Sequence, residues 1–213
     1  MASAIVIGEG KLAAVLTKIL CSHGTPVALF GATKSTKESI ESMLQDHVEK
    51  SFPLQFVDDL KHQKDMLFRL MENLRMTDDV SRLFGEVIVD ATHGNTPLVR
   101  AVRRFVPDAP VMSLDGTATD EKTIGVHVYQ PFDVTRIMQV VTSPKTDPDS
   151  LARVRTLLKN ANVVELNKEE GVMAEKALDE WRSEGSAALR LQKLMNSIVP
   201  SRMVIKSNYS VMH

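Results

Sequence analysis

Short apolar runs alternate with amphipathic stretches along most of the chain. Residues 4–7 (AIVI) are apolar throughout, which is typical of a parallel strand buried on both faces. Apolar residues then recur at helical spacing from Leu12 to Leu20, and His23 and Gly24 end this predicted helix. A second strand is predicted at 26–30. The pattern therefore predicts a compact strand–helix–strand unit.

Residues 34–84 follow a different pattern. The stretches 34–52 and 56–74 each place apolar side chains on one helical stripe and charged side chains on the other faces. We interpret this region as two long amphipathic helices that form an arm inserted into the α/β frame.

After the arm, the alternation of strands and helices resumes. The predicted strands are 86–91, 109–115, 123–130, 135–141 and 162–166, and the predicted helices are 97–106 and 147–161. The composition from 171 to 198 is helical and amphipathic. This order favours an α/β fold with a doubly wound, mostly parallel sheet over residues 1–170, followed by a short helical segment and tail at 171–213.

Composition and charge exclude few classes of function. The chain has 213 residues, 43% of them hydrophobic, and a net charge of −1, which gives no general attraction for nucleic acids. No apolar run approaches the roughly 20 residues of a membrane span. The first strand begins at Ala4, so we expect no recognisable presequence. Cys21 lies in an apolar helical run, where burial is expected rather than reactivity.

A glycine turn follows the first strand. Residues 8–13 (GEGKLA) fit the pattern G-x-G-x-x-[GA], in which Gly8 makes the turn and Gly10 lets a pyrophosphate approach the backbone. Ala13 lets helix and strand pack closely. The alternative is that these glycines serve only a tight turn. Gly31 stands where an NAD site needs a carboxylate for the ribose, and no arginine replaces it for NADP, although Lys34 is near.

Three segments resemble the NAD-binding domain of the 3-hydroxyacyl-CoA dehydrogenase family. They are AIVIGEGKLAAVLTKILCSHGTPVALF (4–30), EVIVDATHGN (86–95) and GVHVYQPFDVTRIMQVV (125–141). The resemblance covers about residues 3–178, and its second segment matches the family at Asp90 and Asn95. It implies a Rossmann-like fold, NAD as cofactor, a place in fatty acid metabolism and, with it, the mitochondrial matrix.

The same resemblance assigns the catalytic positions. In the family, a histidine takes a proton from the 3-hydroxyl group and a glutamate orients and charges the imidazole. His127 matches the histidine, whereas Gln139 occupies the glutamate position. Glutamine can orient a ring but brings no negative charge to stabilise an imidazolium. Ser113 matches a serine that contacts substrate, while Glu175 replaces a substrate asparagine.

These departures predict a degenerate site in which His127 is vestigial and NAD binding is weakened. We expect a non-catalytic, structural or accessory subunit of a larger intracellular assembly, because the C-terminal segment is also shorter than the family's second domain. The alternative is an active NAD-dependent 3-hydroxyacyl-CoA dehydrogenase or related 3-hydroxy acid oxidoreductase, with Asp133 supplying the missing acid. A third hypothesis, a nucleotide sensor without chemistry, needs only residues 8–13. No metal site is predicted.

Overall fold

The structure is a computed structural model that describes residues 3–51, 60–92, 96–129, 132–166 and 171–172. The chain divides into two compact units, 1–165 and 166–213. The first unit contains nearly all of the described residues, and the fold below is that unit's. The helix predicted within 171–198 lies almost wholly outside the described residues.

The first unit is built on one mixed sheet with helices on both faces. Eight strands lie in the order β3-β2-β1-β4-β5-β6-β7-β8. The strands are β1 Ala4–Ile7, β2 Val27–Phe30, β3 Leu74–Thr77, β4 Val87–Asp90, β5 Val111–Ser113, β6 Thr123–Val128, β7 Ile137–Val141 and β8 Val164–Leu166. The helices are α1 Gly10–Ser22, α2 Lys34–Ser51, α3 Leu60–Glu72, α4 Thr96–Phe105, α5 Phe132–Thr135 and α6 Pro148–Asn160.

From β3 to β6 in this spatial order, neighbouring strands pair in parallel, whereas β6 and β7 pair antiparallel. The order β3-β2-β1-β4-β5 is that of a doubly wound sheet, whose strand order reverses between β1 and β4. The predicted α/β, Rossmann-like and mostly parallel architecture is confirmed.

The apolar runs of the central strands are explained by burial on both faces. Ala4 and Val6 join a core with α1, α2 and α6, whereas Ile5 and Ile7 join a second core on the opposite face with Val102 of α4. All four β1 residues are fully buried. Since burying one isoleucine stabilises a fold by about 1.5–3 kcal/mol, neither face tolerates a polar substitution.

The predicted arm is correct in its helices but incomplete. Helix α2 buries Ile40, Leu44 and Val48 as expected, and α3 forms as well, although no residue of α3 is fully buried. The interpretation of 34–84 as helical only is wrong, because Leu74–Thr77 forms the edge strand β3. Leu74 and Met76 are only half-buried, so their short pattern could not be separated from the end of the preceding helical stripe.

Two remaining expectations concern burial and membranes. Cys21 is buried as predicted, and burial raises the pKa of its thiol to about 12, so it stays protonated at neutral pH. Among the described helices, none has the length and apolar character needed to span a bilayer.

Candidate functional site

The turn between β1 and α1 lies where the sheet order reverses. Gly8 has φ +124°, and a Cβ added there would lie 3.0 Å from the carbonyl carbon and oxygen of Ala91. Only glycine therefore lets the chain leaving β4 pass so close to the turn. The backbone of Gly8 is fixed by its hydrogen bond to the Phe30 carbonyl, at 3.1 Å.

Gly10 occupies a different environment in the same turn. Its φ is +87°, and no atom lies within 4 Å of the position that a Cβ would take. Without a side chain at this position, the turn leaves room beside its backbone for a pyrophosphate to approach. Ala13 is fully buried at the contact between α1 and the sheet. These three residues lie where the sequence pattern placed them.

A threonine of α2 also reaches this turn. The Gly10 N–H donates to Thr36 Oγ1 at 3.2 Å, and Thr36 Oγ1 lies 3.0 Å from Thr33 Oγ1. Thr36 is 4% exposed. Sequence reasoning missed this residue, because a threonine in the first turn of an amphipathic helix carries no distinguishing signal. One N–H group at the helix start is therefore already partnered from within the chain.

The turn after β2 has no carboxylate. Gly31 follows Phe30 directly, has φ +71° and is exposed. Lys34 begins α2 three residues later and forms an exposed ion pair with Glu38 at 3.8 Å. Such a pair contributes little stability, so the Lys34 ammonium can exchange partners at little cost.

Asp90, at the carboxyl end of β4, serves the local backbone. Its Oδ1 accepts hydrogen bonds from the Thr92 N–H at 2.9 Å and the Thr92 hydroxyl at 2.6 Å, and the residue is 8% exposed. The carboxylate therefore holds the turn that passes over Gly8. Asn95, the other family match in this segment, lies outside the described residues.

The hairpin of β6 and β7 brings His127 and Gln139 together. The two residues are direct cross-strand partners in the antiparallel register. Gln139 Oε1 accepts a hydrogen bond from the Tyr129 hydroxyl at 3.0 Å. The Tyr129 ring meets the His127 ring edge-on, with the centroids 5.7 Å apart. Tyr129, which the sequence analysis did not single out, thus contacts both candidate residues and fixes the Gln139 amide.

Ser113 ends β5 beside this hairpin. Its hydroxyl donates to Asp115 Oδ1 at 2.6 Å, and the Thr117 hydroxyl donates to the same oxygen at 2.6 Å. These bonds, that from Ser113 foremost, lower the pKa of Asp115. Ser113 is 4% exposed. Its hydroxyl proton is therefore engaged within its own loop.

The loop after β5 passes close to the histidine. A Cβ added at Gly116 would lie 3.7 Å from His127 Nδ1, and one added at Gly125 would collide with the carbonyl of Gly116. Asp115 therefore directly precedes Gly116, which packs beside the imidazole. Asp133, the acid that the sequence offered instead, lies in α5, and its side chain is outside the described residues, as is Glu175.

An open groove of about 620 Å³ lies at the carboxyl ends of β2 and β3. Its lining residues are Leu29, Ala32, Met76, Thr77, Asp78, Asp79 and Arg82. The sequence analysis missed this groove because it missed β3. Among the described residues, no group of three His, Cys, Asp or Glu side chains is placed to hold a metal ion.

Comparisons with known proteins bear on the fold. No protein-family model matches the chain. The chain is 23% identical over 161 residues to a probable 3-hydroxyacyl-CoA dehydrogenase of Deinococcus radiodurans. This match covers 68% of the chain but 46% of the relative, so the chain spans about half the length of the curated relative that it matches.

Solved structures share the fold at low sequence identity. FadB2 of M. tuberculosis is 15% identical with a TM-score of 0.64, and the match covers 92% of this chain and 77% of that one. A 3-hydroxybutyryl-CoA dehydrogenase of Escherichia coli K12 is 15% identical with a TM-score of 0.60, and the match covers 84% of this chain and 43% of that one. The (S)-3-hydroxybutyryl-CoA dehydrogenase PaaH1 of Ralstonia eutropha is 11% identical with a TM-score of 0.61, and the match covers 92% of this chain and 77% of that one. In sequence the chain is similar to a probable 3-hydroxyacyl-CoA dehydrogenase, and in fold it is similar to solved dehydrogenases of that kind.

Proposed function

We propose that the chain is a dehydrogenase-like protein that binds NAD but oxidises 3-hydroxyacyl-CoA poorly or not at all. It acts as an accessory subunit of a larger assembly. The observation that carries the proposal is the hydrogen bond from the Tyr129 hydroxyl to Gln139 Oε1, at 3.0 Å. The one side chain directly across the strand from His127 is neutral, and its acceptor oxygen is engaged by a neighbour.

The chemical argument concerns the proton. A histidine base gains a positive charge when it takes the hydroxyl proton of a substrate, and an adjacent carboxylate stabilises that charge. Gln139 is neutral and cannot stabilise that charge. In a serine protease, replacing the aspartate beside the catalytic histidine by asparagine lowers kcat by a factor of about 10⁴. A loss of similar order is expected here if no other acid reaches the imidazole.

The turn at residues 8–13 supports NAD binding. The open space at Gly10 and the start of α1 fit a pyrophosphate, and the buried Ala13 allows the close packing that the motif requires. Bound NAD would supply the hydride acceptor of a dehydrogenase. The groups of this chain that would hold it are the N–H groups of the first turn of α1 after Gly10, while Gly8 and Gly10 let it approach the backbone; their own N–H groups donate to Phe30 and Thr36.

Apolar side chains on the surface support a role in an assembly. Phe68 and Leu60 of α3 are 67% and 65% exposed, and Phe105 at the end of α4 is 59% exposed. Helix α3 has no fully buried residue of its own. Exposed aromatic and aliphatic side chains on one amphipathic helix favour contact with another protein. The family resemblance favours the mitochondrial matrix as the location.

The proposal is tested by enzymology and by purification. Purified protein is incubated with acetoacetyl-CoA and NADH, and the absorbance of NADH is followed at saturating concentrations of both. We expect turnover at least about 10³-fold below that of a family member assayed in parallel. Native purification and mass spectrometry should show a stoichiometric complex. Turnover at an ordinary rate would refute the non-catalytic role, and a chain that stays monomeric in its native extract would refute the accessory role.

A second candidate function, an active dehydrogenase, is favoured by one observation. The His127 side chain is exposed, so a substrate could reach it. This candidate requires a carboxylate beside the imidazole. The same assay separates the two candidates, because activity that disappears in the His127→Ala variant identifies His127 as the base.

A further inference from the structure

The edge strand β3 changes the chemistry available at the end of β2. In the parallel register of these strands, Phe30 is paired with Thr77. Gly31 and Asp78 are the next residues of the two strands. Paired strands lie about 4.8 Å apart, so Asp78 begins beside the position at which a dinucleotide site needs its ribose carboxylate.

The groove described above gives this carboxylate a binding surface. Asp78 lines it together with Leu29 and Met76, and Ala32 continues the wall beyond Gly31. Its volume of about 620 Å³ lies within the range of about 300–1,000 Å³ typical of small-molecule sites. Apolar side chains beside a carboxylate suit a nucleoside, whose base is flat and apolar on its faces and whose ribose presents two hydroxyl donors.

The neighbouring acid is committed elsewhere. Asp79 Oδ1 accepts hydrogen bonds from the Ser81 N–H at 3.0 Å and the Ser81 hydroxyl at 2.6 Å, and its Oδ2 lies 3.2 Å from Arg82 Nε. The pKa of Asp79 is lowered, and the hydrogen bond from the Ser81 hydroxyl is the main cause. Within the described part of the chain, the Asp78 carboxylate takes part in no hydrogen bond or ion pair, so both of its oxygens can accept from a ligand.

We infer that Asp78 is the ribose-binding carboxylate of this protein and that it selects NAD(H) over NADP(H). The inference rests on the proposed NAD binding and names the residue that sets its specificity. Asp78 accepts hydrogen bonds from the 2′- and 3′-hydroxyl groups of the adenosine ribose, in place of the acid that is absent at Gly31. A 2′-phosphate would bring negative charge against this carboxylate, and that repulsion disfavours NADP(H).

Binding affinities of the full chain test the inference. Dissociation constants for NADH and NADPH are measured by isothermal titration calorimetry for the wild type, Asp78→Asn and Asp79→Asn. Because a desolvated hydrogen bond to a charged group is strong, Asp78→Asn should weaken NADH binding about 10-fold and strengthen NADPH binding, so that the preference shrinks or reverses. The control Asp79→Asn removes an equal charge from the same groove but leaves Asp78 in place, so NADH should remain the preferred nucleotide.

A rescue variant guards against indirect effects. Gly31→Asp restores an acid at the end of β2, where an added Cβ meets only Leu98 Cδ2 at 3.5 Å. Aspartate also tolerates the positive φ of +71° better than most residues. Introduced into Asp78→Asn, it should recover most of the lost NADH affinity.

The outcomes separate this inference from the proposed function. If the wild type binds NADH and Asp78→Asn binds it with the same preference over NADPH, the inference about Asp78 is wrong while NAD binding stands. A wild type that prefers NADPH also overturns the inference, and assigns the groove to a 2′-phosphate held by Lys34 and Arg82. If the wild type binds neither nucleotide, the proposed NAD binding fails and the inference fails with it.

Discussion

The glycine turn after β1, in the interior of the sheet, and the β6–β7 hairpin, nearer one edge, differ in how they contribute to function. The turn offers backbone groups and open space, which depend on Gly8 and Gly10 and on the approach of Ala91. The hairpin offers the side chains of His127 and Gln139, whose chemistry depends on one charge. A site made of backbone survives as long as the fold does, whereas one substitution can end proton transfer. Nucleotide binding and catalysis can therefore be lost separately.

The largest expected effect separates the two glycines of the turn. Gly8→Ala places a Cβ 3.0 Å from the Ala91 carbonyl at a φ of +124°, and we expect it to lower the free energy of unfolding by about 3 kcal/mol. Gly10→Ala meets no neighbouring atom within 4 Å, so only its positive φ costs stability, by about 1 kcal/mol. Urea unfolding of both variants measures the difference, and equal losses would show that the close approach to Ala91 is unimportant.

The hairpin is tested by restoring the missing charge. Gln139→Glu places a carboxylate directly across from His127, and we expect turnover of acetoacetyl-CoA with NADH to rise by about 10-fold or more. The Tyr129 hydroxyl would compete for that carboxylate, so the double variant with Tyr129→Phe should be more active still. No gain in either variant would show that more than the charge has been lost at this site. NADH affinity is the control and should stay unchanged.

The contact between the end of α1 and the start of β7 predicts a pH dependence of stability. Arg136, just before β7, places Nη1 3.3 Å from His23 Nε2 at the end of α1, and His23 Nδ1 lies 2.9 Å from the Ile19 carbonyl. Burial foremost, with the nearby charges of Arg136 and Lys18, lowers the pKa of His23. Burial foremost also lowers the pKa of His47, followed by Lys18 and Arg136.

Both histidines are therefore neutral in the folded protein at a pH where they are charged in the unfolded chain. Their contribution to stability is complete above the unfolded pKa of about 6.5 and is lost as pH falls through the lower, folded pKa. We expect the urea midpoint to fall between pH 7 and pH 5. The double variant His23→Gln, His47→Gln should have a flatter profile over this window, and an unchanged slope would assign the effect to other groups.

The smallest expected effect concerns the ion pair that joins α4 to the start of β6. Arg103 Nη1 lies 2.6 Å from Asp120 Oδ2, with 29% and 41% of the two side chains exposed. Burial raises the pKa of Asp120, but the Arg103 and Thr123 hydrogen bonds outweigh it, and the pKa is lowered on balance. Asp120→Asn should cost about 1 kcal/mol or less at pH 7, because solvent screens the pair, and nothing below the Asp120 pKa. Urea midpoints measured at successively lower pH should show the difference between the wild type and Asp120→Asn disappear as pH falls through the lowered pKa of Asp120, with Asp108→Asn, in an exposed pair, as the control.

Much of the fold was predictable because its signals are local. The run AIVI predicted β1 at its observed bounds, and the helical spacing of Ile40, Leu44 and Val48 predicted their burial in α2. The strand β3 was not predictable in this way. An edge strand in which Arg75 is exposed and the other three residues are half-buried buries too little apolar surface to impose a period of two on its sequence.

The candidate site divides along the same line. Residues 8–13 could be identified because a strand, a glycine turn and a helix are consecutive in sequence. Thr36, Tyr129 and Asp78 could not, because each meets its neighbour only through pairing or packing with a distant segment. His127 and Gln139 were found through a resemblance, and the structure added that the Gln139 amide is engaged by Tyr129.

The sequence by itself determined which faces are buried, where the backbone must turn through glycine, and that position 139 carries a neutral glutamine. These properties follow from the chemistry of single residues and their immediate neighbours. Only the tertiary structure decided that β3 lies beside β2 and pairs Thr77 with Phe30, the residues before Asp78 and Gly31, since strand register is set by packing across the whole sheet.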